Sequence, residues 1–261
     1  MSDDRSGMNR RELLAGIGAL ACAGVAPAAG PLPAAVQTRR LPTRAVVFDA
    51  YGTLFDVHSV IALANELFPG QGDALSQRWR QKQLEYSWLL SQMHRYEDFW
   101  SVTDHALTFA CRALKLSCSA SQHDRLMDAY LHLSAFPDAA DGLKQLSGRP
   151  VAILSNGSPK MLAAVVSSAR FDGVFRQVIS VDLVRIYKPS LLVYRLASDR
   201  LGVQPGSVLF VSSNFWDVAG AKAFGFRTCW VNRDDAPAEE LNLVPDVVVK
   251  SLAELPRAVV A

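Results

Sequence analysis

A carboxylate and a hydroxyl group follow a short apolar run in the stretch RAVVFDAYGTLFD, residues 44–56. The run is typical of a buried strand that ends at Asp49, and Thr53 follows four positions later. A single aspartate after a strand is usually a turn or helix-cap residue. In open α/β sheets, however, ligands bind beyond the carboxyl ends of the strands, so both residues are candidates for a functional site.

Three later strand ends carry polar side chains as well. The predicted strand VAILSNG ends in Ser155 and Asn156, and Lys188 lies within YKP, in a loop after the next strand. The fourth predicted strand ends in a polar group that comprises Ser212, Ser213, Asn214 and Asp217. A single lysine is more often a solvated surface charge. Four polar strand ends in succession, all at the same edge of a sheet, indicate one shared site.

The elements that must position these residues alternate between strands and helices. Short apolar runs at 151–157, 177–182 and 207–213 each precede a helical pattern, and TCWVN and DVVVK continue the series. The three helical patterns cover 160–168, 191–201 and 218–224. Continuous apolar strands that alternate with helices predict a parallel sheet covered on both faces. The expected fold is therefore α/β, with a doubly wound, Rossmann-like parallel sheet.

A long segment after the first strand contains only helical patterns. Apolar residues spaced by seven, four and three predict a helix over 73–93, and shorter patterns follow at 105–116 and 123–133. We therefore predict a helical cap domain at 57–136, inserted into the core after its first strand. The α/β core domain would then comprise residues 44–56 and 137–261.

The N-terminus has the pattern of an export signal. Arg10 and Arg11 precede a short run rich in alanine and glycine, and an Ala-Pro-Ala triplet follows at 26–28. This predicts a twin-arginine signal peptide over residues 1–28 and a periplasmic protein, followed by a proline-containing linker over 29–43. The alternative is a disordered tail on a cytoplasmic protein. The run is too short and too weakly apolar for a stable membrane anchor.

Composition argues against several classes of protein. The 261 residues carry a formal net charge of +2, and no basic stretch is interleaved with aromatic residues, so nucleic acid is a poor candidate partner. The four cysteines form no CxxC motif and lie near no histidine at zinc-binding spacing. We therefore expect small buried cysteines rather than a metal site or a disulfide framework.

The order of these segments resembles a known superfamily. A DxxGT motif, a strand ending in Ser-Asn, a Lys-Pro pair and a strand ending in an acidic group resemble the haloacid dehalogenase superfamily. Within it, DAYGTLFDVHSV, RWRQKQLEYSW, LSNGSP, YKPSLLVY, FVSSNFWD and FGFRTCWVNR are similar to the L-2-haloacid dehalogenases. The resemblance runs from about residue 44 to the end of the chain and includes the cap.

Two departures from the superfamily's phosphatases bear on the reaction. Those enzymes commonly carry a second aspartate two positions after the nucleophile, which protonates the leaving alcohol, and an acidic fourth motif that binds Mg²⁺. Here Tyr51 and Ser213 occupy the two positions. Halide leaves without a proton, and Mg²⁺ needs several hard oxygen ligands. We therefore expect no metal and no cofactor. A Mg²⁺-dependent phosphatase and a catalytically silent binding protein on the same fold are the alternatives.

The resemblance implies a hydrolase of short L-2-haloalkanoic acids that inverts configuration and yields D-2-hydroxy acids. Asp49 would attack the substrate Cα and form an ester, which water then hydrolyses. Ser155 and Asn156 would hold the substrate carboxylate, and Lys188 would keep Asp49 ionised. The residues expected to position these groups and the water are Thr53, Tyr194, Ser212, Asn214 and Asp217.

The cap would supply the leaving-group side of the site. By the resemblance, Arg80 faces the departing halide, although a helical arginine is otherwise more often a surface charge. The residues expected to line an apolar pocket are Tyr51, Gln81, Leu84, Phe99 and Trp216. The small-molecule partners implied are a 2-haloacid and a halide ion, and the resemblance also implies a homodimer formed through the cap.

Overall fold

The computed structural model describes residues 41–146, 148–255 and 259–260. The predicted signal peptide and residues 29–40 of the predicted linker lie outside these ranges. The end of the predicted linker forms a short strand, which pairs in parallel with a strand at the C-terminus. Within the described ranges there are eight strands: β1 (Leu41–Pro42), β2 (Ala45–Phe48), β3 (Val151–Ser155), β4 (Gln177–Ser180), β5 (Val208–Ser212), β6 (Arg227–Val231), β7 (Val247–Val249) and β8 (Val259–Val260).

Six of these strands form one parallel sheet in the order β4-β3-β2-β5-β6-β7. Every residue of β2, β3 and β5 is buried, which requires cover on both faces of the sheet. Strands β3 and β4 are added in turn on one side of β2. The chain then crosses back, and β5, β6 and β7 are added in turn on the other side. The order of the strands therefore reverses beside β2, where ligands bind in sheets of this kind. The predicted α/β fold and doubly wound parallel sheet are confirmed.

Four of the five described helices between β2 and β3 lie in the segment predicted to be the cap. They are α1 (Ile61–Leu67), α2 (Gly72–Gln92), α3 (Phe99–Ala113) and α4 (Ala120–Ala129). Helix α3 begins six residues before its predicted start because the Asp98 side chain accepts hydrogen bonds from two first-turn backbone N–H groups. Helix α4 begins at a capping box formed by Ser119 and Gln122. Helix α1 was not predicted from the sequence.

The chain leaves the core and returns to it at one place. Phe55 and Ala135 form an antiparallel bridge, and the backbone N–H of Phe136 donates to the carbonyl of Leu54 at 2.9 Å. The two connections therefore run side by side beneath the cap. The exact domain boundaries stay a prediction.

The remaining helices connect the strands of the sheet. They are α5 (Ala139–Gln145), α6 (Pro159–Ser168), α7 (Leu191–Leu201) and α8 (Phe215–Phe224). Helix α8 begins three residues earlier than predicted. Helices α7 and α8 each end at a glycine with positive φ, Gly202 and Gly225, a conformation that suits glycine. Within the part of the chain that the structure describes, no helix combines the length and apolar character needed to cross a lipid bilayer.

Candidate active site

The carboxylate of Asp49 lies at the end of β2 and is only 5% exposed. Its Oδ2 accepts hydrogen bonds from Asn214 Nδ2 at 2.8 Å, Thr53 Oγ1 at 3.1 Å and Ser212 Oγ at 3.3 Å. Its Oδ1 accepts one from Lys188 Nζ at 3.1 Å. Three neutral donors on one oxygen and an ammonium group on the other hold the carboxylate in a single orientation.

Lys188 is fully enclosed and joins two carboxylates. Its Nζ lies 2.7 Å from Asp217 Oδ2, and the ammonium group sits 4.9 Å from the centre of the Phe210 ring. The pKa of Asp217 is raised to about 7. Burial is the largest cause, the nearby charge of Asp49 acts in the same direction, and Lys188 opposes both. The Tyr194 hydroxyl donates to Asp217 Oδ1 at 2.8 Å. Burial and Asp217 raise the pKa of Tyr194 well above its usual value, so the phenol stays protonated.

The loop after β3 contacts the lysine loop. Ser155 and Asn156 are both buried, and Asn156 Oδ1 accepts a hydrogen bond from the backbone N–H of Lys188 at 3.0 Å. The Ser155 hydroxyl accepts one from the backbone N–H of Gly157 at 3.1 Å. A Cβ on Gly157 would lie 2.7 Å from Cε2 of Tyr51, so glycine allows the tyrosine ring to pack against this loop.

Tyr51 forms an aromatic wall beside the nucleophile. Its buried ring lies 5.9 Å from the rings of both Phe99 and Tyr130. Its hydroxyl is buried and has no hydrogen-bond partner among the described residues. Burial, with a contribution from Tyr130, raises the pKa of this phenol far above its usual value. The group two positions after Asp49 is therefore a neutral apolar surface rather than a second carboxylate.

Arg80 reaches this wall from the cap. Its NH2 donates to the backbone carbonyl of Tyr51 at 3.3 Å, and its NH1 donates to Gln83 Oε1 at 2.7 Å. Asn214 Nδ2, which binds Asp49, donates to the same Tyr51 carbonyl at 3.1 Å. One peptide oxygen thus accepts hydrogen bonds from the cap arginine and from a side chain that holds the nucleophile.

Gln81, which we expected in the pocket, is not brought to the site. It is exposed, and its Oε1 accepts a hydrogen bond from Arg78 at 3.2 Å. The physical reason is helical periodicity, because the buried face of α2 includes Leu75, Trp79 and Gln83, spaced by four. Position 81 points away from that face.

The other predicted pocket residues differ in burial. Phe99 is buried against Tyr51, whereas Leu84 and Trp216 are half-buried. The Trp216 ring lies 5.5 Å from that of Trp88 on α2, in an edge-on contact between core and cap. A cavity of about 430 Å³ beside this contact is lined by Trp88, Ser91, Gln92, Ile186, Tyr187, Lys188, Pro189 and Ser190.

Sequence reasoning missed Gln83 and Arg233. Arg233 follows β6, and its guanidinium donates to the Thr53 carbonyl at 3.0 Å and to Ser213 Oγ at 2.9 Å. It also pairs with Asp138 at 3.0 Å. Gln83 was detectable from its place in the four-residue spacing of α2. Arg233 had no such signal, because its partners lie far away in the sequence.

The residues suited to a metal ion are few. Within the described ranges, no three histidine, cysteine, aspartate or glutamate side chains come together in a group that could hold one. The Oδ2 of Asp49 and the carbonyl of Tyr51 already share the amide of Asn214. Ser213, which stands where the phosphatase motif has an acid, lies against the Arg233 guanidinium.

Comparisons with known proteins agree with this geometry. The sequence model of the haloacid dehalogenase-like hydrolase family matches residues 43–225. An (S)-2-haloacid dehalogenase of Pseudomonas putida is 49% identical over 212 residues, which are 80% of this chain and 93% of the relative. The chain belongs to the (S)-2-haloacid dehalogenase family. Haloacetate dehalogenase H-2 of Moraxella sp. (strain B), another relative, is 46% identical and covers 78% of this chain and 92% of its own length.

A solved structure supports this family membership. The L-2-haloacid dehalogenase of Xanthobacter autotrophicus, with chloropropionic acid covalently bound, superposes with a TM-score of 0.78 at 45% identity. The match covers 82% of this chain and 97% of that one.

Proposed function

We propose that this chain hydrolyses short L-2-haloalkanoic acids to D-2-hydroxy acids and halide. The observation that carries the proposal is the Tyr51 carbonyl, which accepts hydrogen bonds from Arg80 and from Asn214, the partner of Asp49. A fixed carboxylate on one side and a guanidinium on the other suit a displacement in which negative charge moves from nucleophile to leaving group.

The first displacement forms an ester. A carboxylate oxygen of Asp49 bonds to the substrate Cα while the carbon–halogen bond breaks, and the halide leaves with the bonding electrons. No proton is transferred, which agrees with a neutral aromatic residue at position 51. In-line attack inverts the configuration. Lys188 keeps Asp49 ionised, and the aromatic wall limits the hydration of the carboxylate.

The second displacement restores the enzyme. Water attacks Cγ of the Asp49 ester, and the donors that bind Asp49 in the free enzyme stabilise the developing oxyanion. The tetrahedral intermediate then collapses: the bond between Cγ and the ester oxygen breaks, the D-2-hydroxy acid leaves with that former Asp49 oxygen and takes up a proton, and the water oxygen remains in the Asp49 carboxylate. Asp217, with a pKa of about 7, is suited to accept the proton of the water.

The substrate is oriented from three sides. Ser155 and Asn156, with neighbouring backbone N–H groups, hold its carboxylate, and Arg80 receives the halide. The apolar side of the substrate packs against Tyr51 and Phe99, whose rings are buried together. Trp216 lies at the boundary with the cap. These assignments follow the resemblance of the sequence to the family, and they are supported by the contacts of Asn156 with Lys188 and of Arg80 with the Tyr51 carbonyl.

Halide release by the purified protein tests this proposal. We expect release from L-2-chloropropionate that EDTA does not affect, little release from the D isomer, and no release by Asp49→Asn. Conversion of p-nitrophenyl phosphate, run in parallel with and without Mg²⁺, tests the phosphatase alternative. Mg²⁺-dependent phosphate release without halide release would overturn the proposal. A folded protein inactive on all three compounds would favour the silent binding protein.

We infer a homodimer formed through the cap. Leu89 and Met93, one turn apart on α2, are 44% and 57% exposed, and Phe109 of α3 is also exposed. A cavity of about 280 Å³ lies beside them and includes Tyr86 and Val102 in its lining. A second copy would cover this apolar face. Light scattering should give twice the chain mass, and Leu89→Glu should give the monomer. A wild-type monomer at high concentration would contradict the inference.

We also propose export to the periplasm by the twin-arginine route. The support is the sequence pattern of Arg10 and Arg11 before a short apolar run, since this segment lies outside the described residues. Activity should be found in the periplasmic fraction of the host, and a variant with both arginines changed to lysine should retain it in the cytoplasm. If the activity of both proteins is found in the cytoplasmic fraction, the result would favour a cytoplasmic enzyme.

A further inference from the structure

Gln83 is a polar side chain with no solvent exposure, in the interior of the cap. It lies on α2 one turn after Arg80. An amide that is buried without hydrogen bonds loses its bonds to water and destabilises the folded chain. The partners of Gln83 therefore show what keeps a polar residue at this position.

Those partners determine the orientation of the amide. Oε1 accepts hydrogen bonds from Arg80 NH1 at 2.7 Å and from the Tyr130 hydroxyl at 3.1 Å. Nε2 donates to Thr103 Oγ1 at 2.8 Å. The Thr103 hydroxyl in turn donates to the backbone carbonyl of Phe99 at 2.6 Å, so toward Gln83 it can only accept. Donors on one side and an acceptor on the other exclude the flipped amide.

The network is anchored in the packed interior of the cap. Trp79 Nε1 donates to the Thr103 carbonyl at 2.8 Å, and the Trp79 and Tyr130 rings lie 4.8 Å apart. The four side chains of Trp79, Gln83, Thr103 and Tyr130 are buried. Gln83 is therefore held by two helices of the cap rather than by solvent.

Arg80 depends on this amide for its orientation. The shortest hydrogen bond of its guanidinium is the one to Gln83, the one to the Tyr51 carbonyl is 3.3 Å long, and the Tyr130 hydroxyl, which also binds Gln83, lies against the same group. An arginine side chain has several rotatable bonds, so two contacts in different directions are needed to hold its plane. Without Gln83, the guanidinium would lose its shortest hydrogen bond and the acceptor oxygen that it shares with Tyr130.

We propose that Gln83 is a positioning residue that holds the Arg80 guanidinium toward the departing halide. This inference rests on the function proposed above. A neutral amide orients the guanidinium without neutralising it, whereas a carboxylate at position 83 would form a buried ion pair and reduce the attraction of Arg80 for halide. The chemistry therefore favours glutamine over glutamate at this position.

The test compares leaving groups in full-length variants. We expect Gln83→Met to lower kcat for L-2-chloropropionate by roughly tenfold or more, and to lower it less for L-2-bromopropionate, because bromide needs less stabilisation. Product inhibition by added bromide, at constant ionic strength, should weaken by roughly tenfold. Gln83→Glu keeps the side-chain volume and an acceptor oxygen, and it should also lower kcat and weaken inhibition by bromide. Gln77→Met, an exposed glutamine of the same helix, should stay within about twofold of wild type.

The outcomes are distinguishable. A purely structural role would lower the melting temperature and the rates for both substrates equally, with an unchanged chloride-to-bromide ratio and bromide inhibition, and that result would overturn the inference. If Gln83→Met does not fold, Gln83→Glu gives the same two readouts. A wild-type protein that releases no halide from either substrate would contradict the proposed function itself.

Discussion

The ammonium nitrogen of Lys188 lies 3.1 Å from Oδ1 of Asp49, although 139 positions separate the two residues in the chain. The same nitrogen contacts Asp217, and all three side chains are almost completely buried. One cation therefore faces two carboxylates in the interior. The single ammonium charge offsets the two carboxylates fully only when one of them is protonated. If both are ionised, hydrogen bonds must stabilise the remaining negative charge.

Replacement of Lys188 by methionine should abolish halide release and destabilise the protein. Two buried carboxylates would lose their counter-charge, and Asp49 would lose the ammonium group that holds Oδ1 in place. We expect a loss of at least about 3 kcal/mol in the free energy of unfolding, measured with urea near neutral pH.

A double variant separates charge from packing in this prediction. Lys188→Met with Asp217→Asn should recover part of the lost stability but none of the activity, because it removes one of the uncompensated charges. Lys144→Met, an exposed lysine on α5, serves as the control and should behave like wild type. Equal stability of the single and double variants would argue against the charge explanation.

The rate of halide release should fall as the pH falls below about 7. Burial raises the pKa of Asp217 to about 7, and the hydrogen bond from Tyr194 opposes this rise by stabilising the carboxylate. Tyr194→Phe removes the bond and should move the acidic limb of the kcat profile upward by roughly one pH unit. An acidic limb in the same place in both proteins would show that another group controls it.

Asp217 should also make stability depend on pH. Its pKa is higher in the folded than in the unfolded chain, so between about 4 and 7 the folded chain holds a proton that the unfolded chain has lost. The contribution of this group to stability is therefore present at low pH and is lost as the pH rises through that window. As the pH rises from about 4 to 7, the wild-type protein should lose unfolding free energy relative to Asp217→Asn, because the variant has no group that titrates at this position.

Gly220→Ala should disturb the support of Asp217. A Cβ at position 220, on α8, would lie 2.4 Å from the Tyr194 hydroxyl and 2.7 Å from Cβ of Pro189. Although alanine is the better helix former, crowding of this kind costs about 1–3 kcal/mol. We expect a net loss of stability by thermal melting and a lower kcat. Gly206→Ala is the control, since no described atom lies within 4 Å of its added Cβ.

Arg233→Met should destabilise the junction between cap and core by about 1–3 kcal/mol. Arg233 donates to the Thr53 carbonyl and pairs with Asp138, while its guanidinium lies 4.0 Å from the centre of the Phe136 ring. Partial burial raises the pKa of Asp138, but hydrogen bonds from Arg233 and from a backbone N–H more than offset this and lower it overall. Urea unfolding of the variant, of Asp138→Asn and of the double variant should give non-additive losses. Additive losses would mean that the two residues act independently.

Much of the candidate site could be predicted from the sequence because its residues follow strands. A short apolar run indicates a buried strand, and the carboxyl ends of parallel strands lie at one edge of the sheet. Asp49, Ser155 and Asp217 were therefore placed near one another before any distance was known. The order of the motifs also indicated the family that the comparisons then showed.

The cap residues were harder to predict, because a helix has several faces and the sequence does not state which one is buried. Gln81 and Gln83 are two positions apart and chemically identical, yet one is exposed and the other holds Arg80. The four-residue spacing of α2 favours position 83 for the buried face, but only the packing of α2 against α3 shows what Gln83 contacts there, namely Thr103.

The sequence by itself determined the alternation of strands and helices and the polar residues at the strand ends, since both depend on local patterns of apolar and polar side chains. The tertiary structure alone decided which distant groups share one acceptor, such as Arg80 and Asn214 at the Tyr51 carbonyl. It also decided the place of Arg233 beside Thr53, 180 positions earlier. Such contacts arise from the closure of long loops around a common core, and no short segment of sequence encodes them.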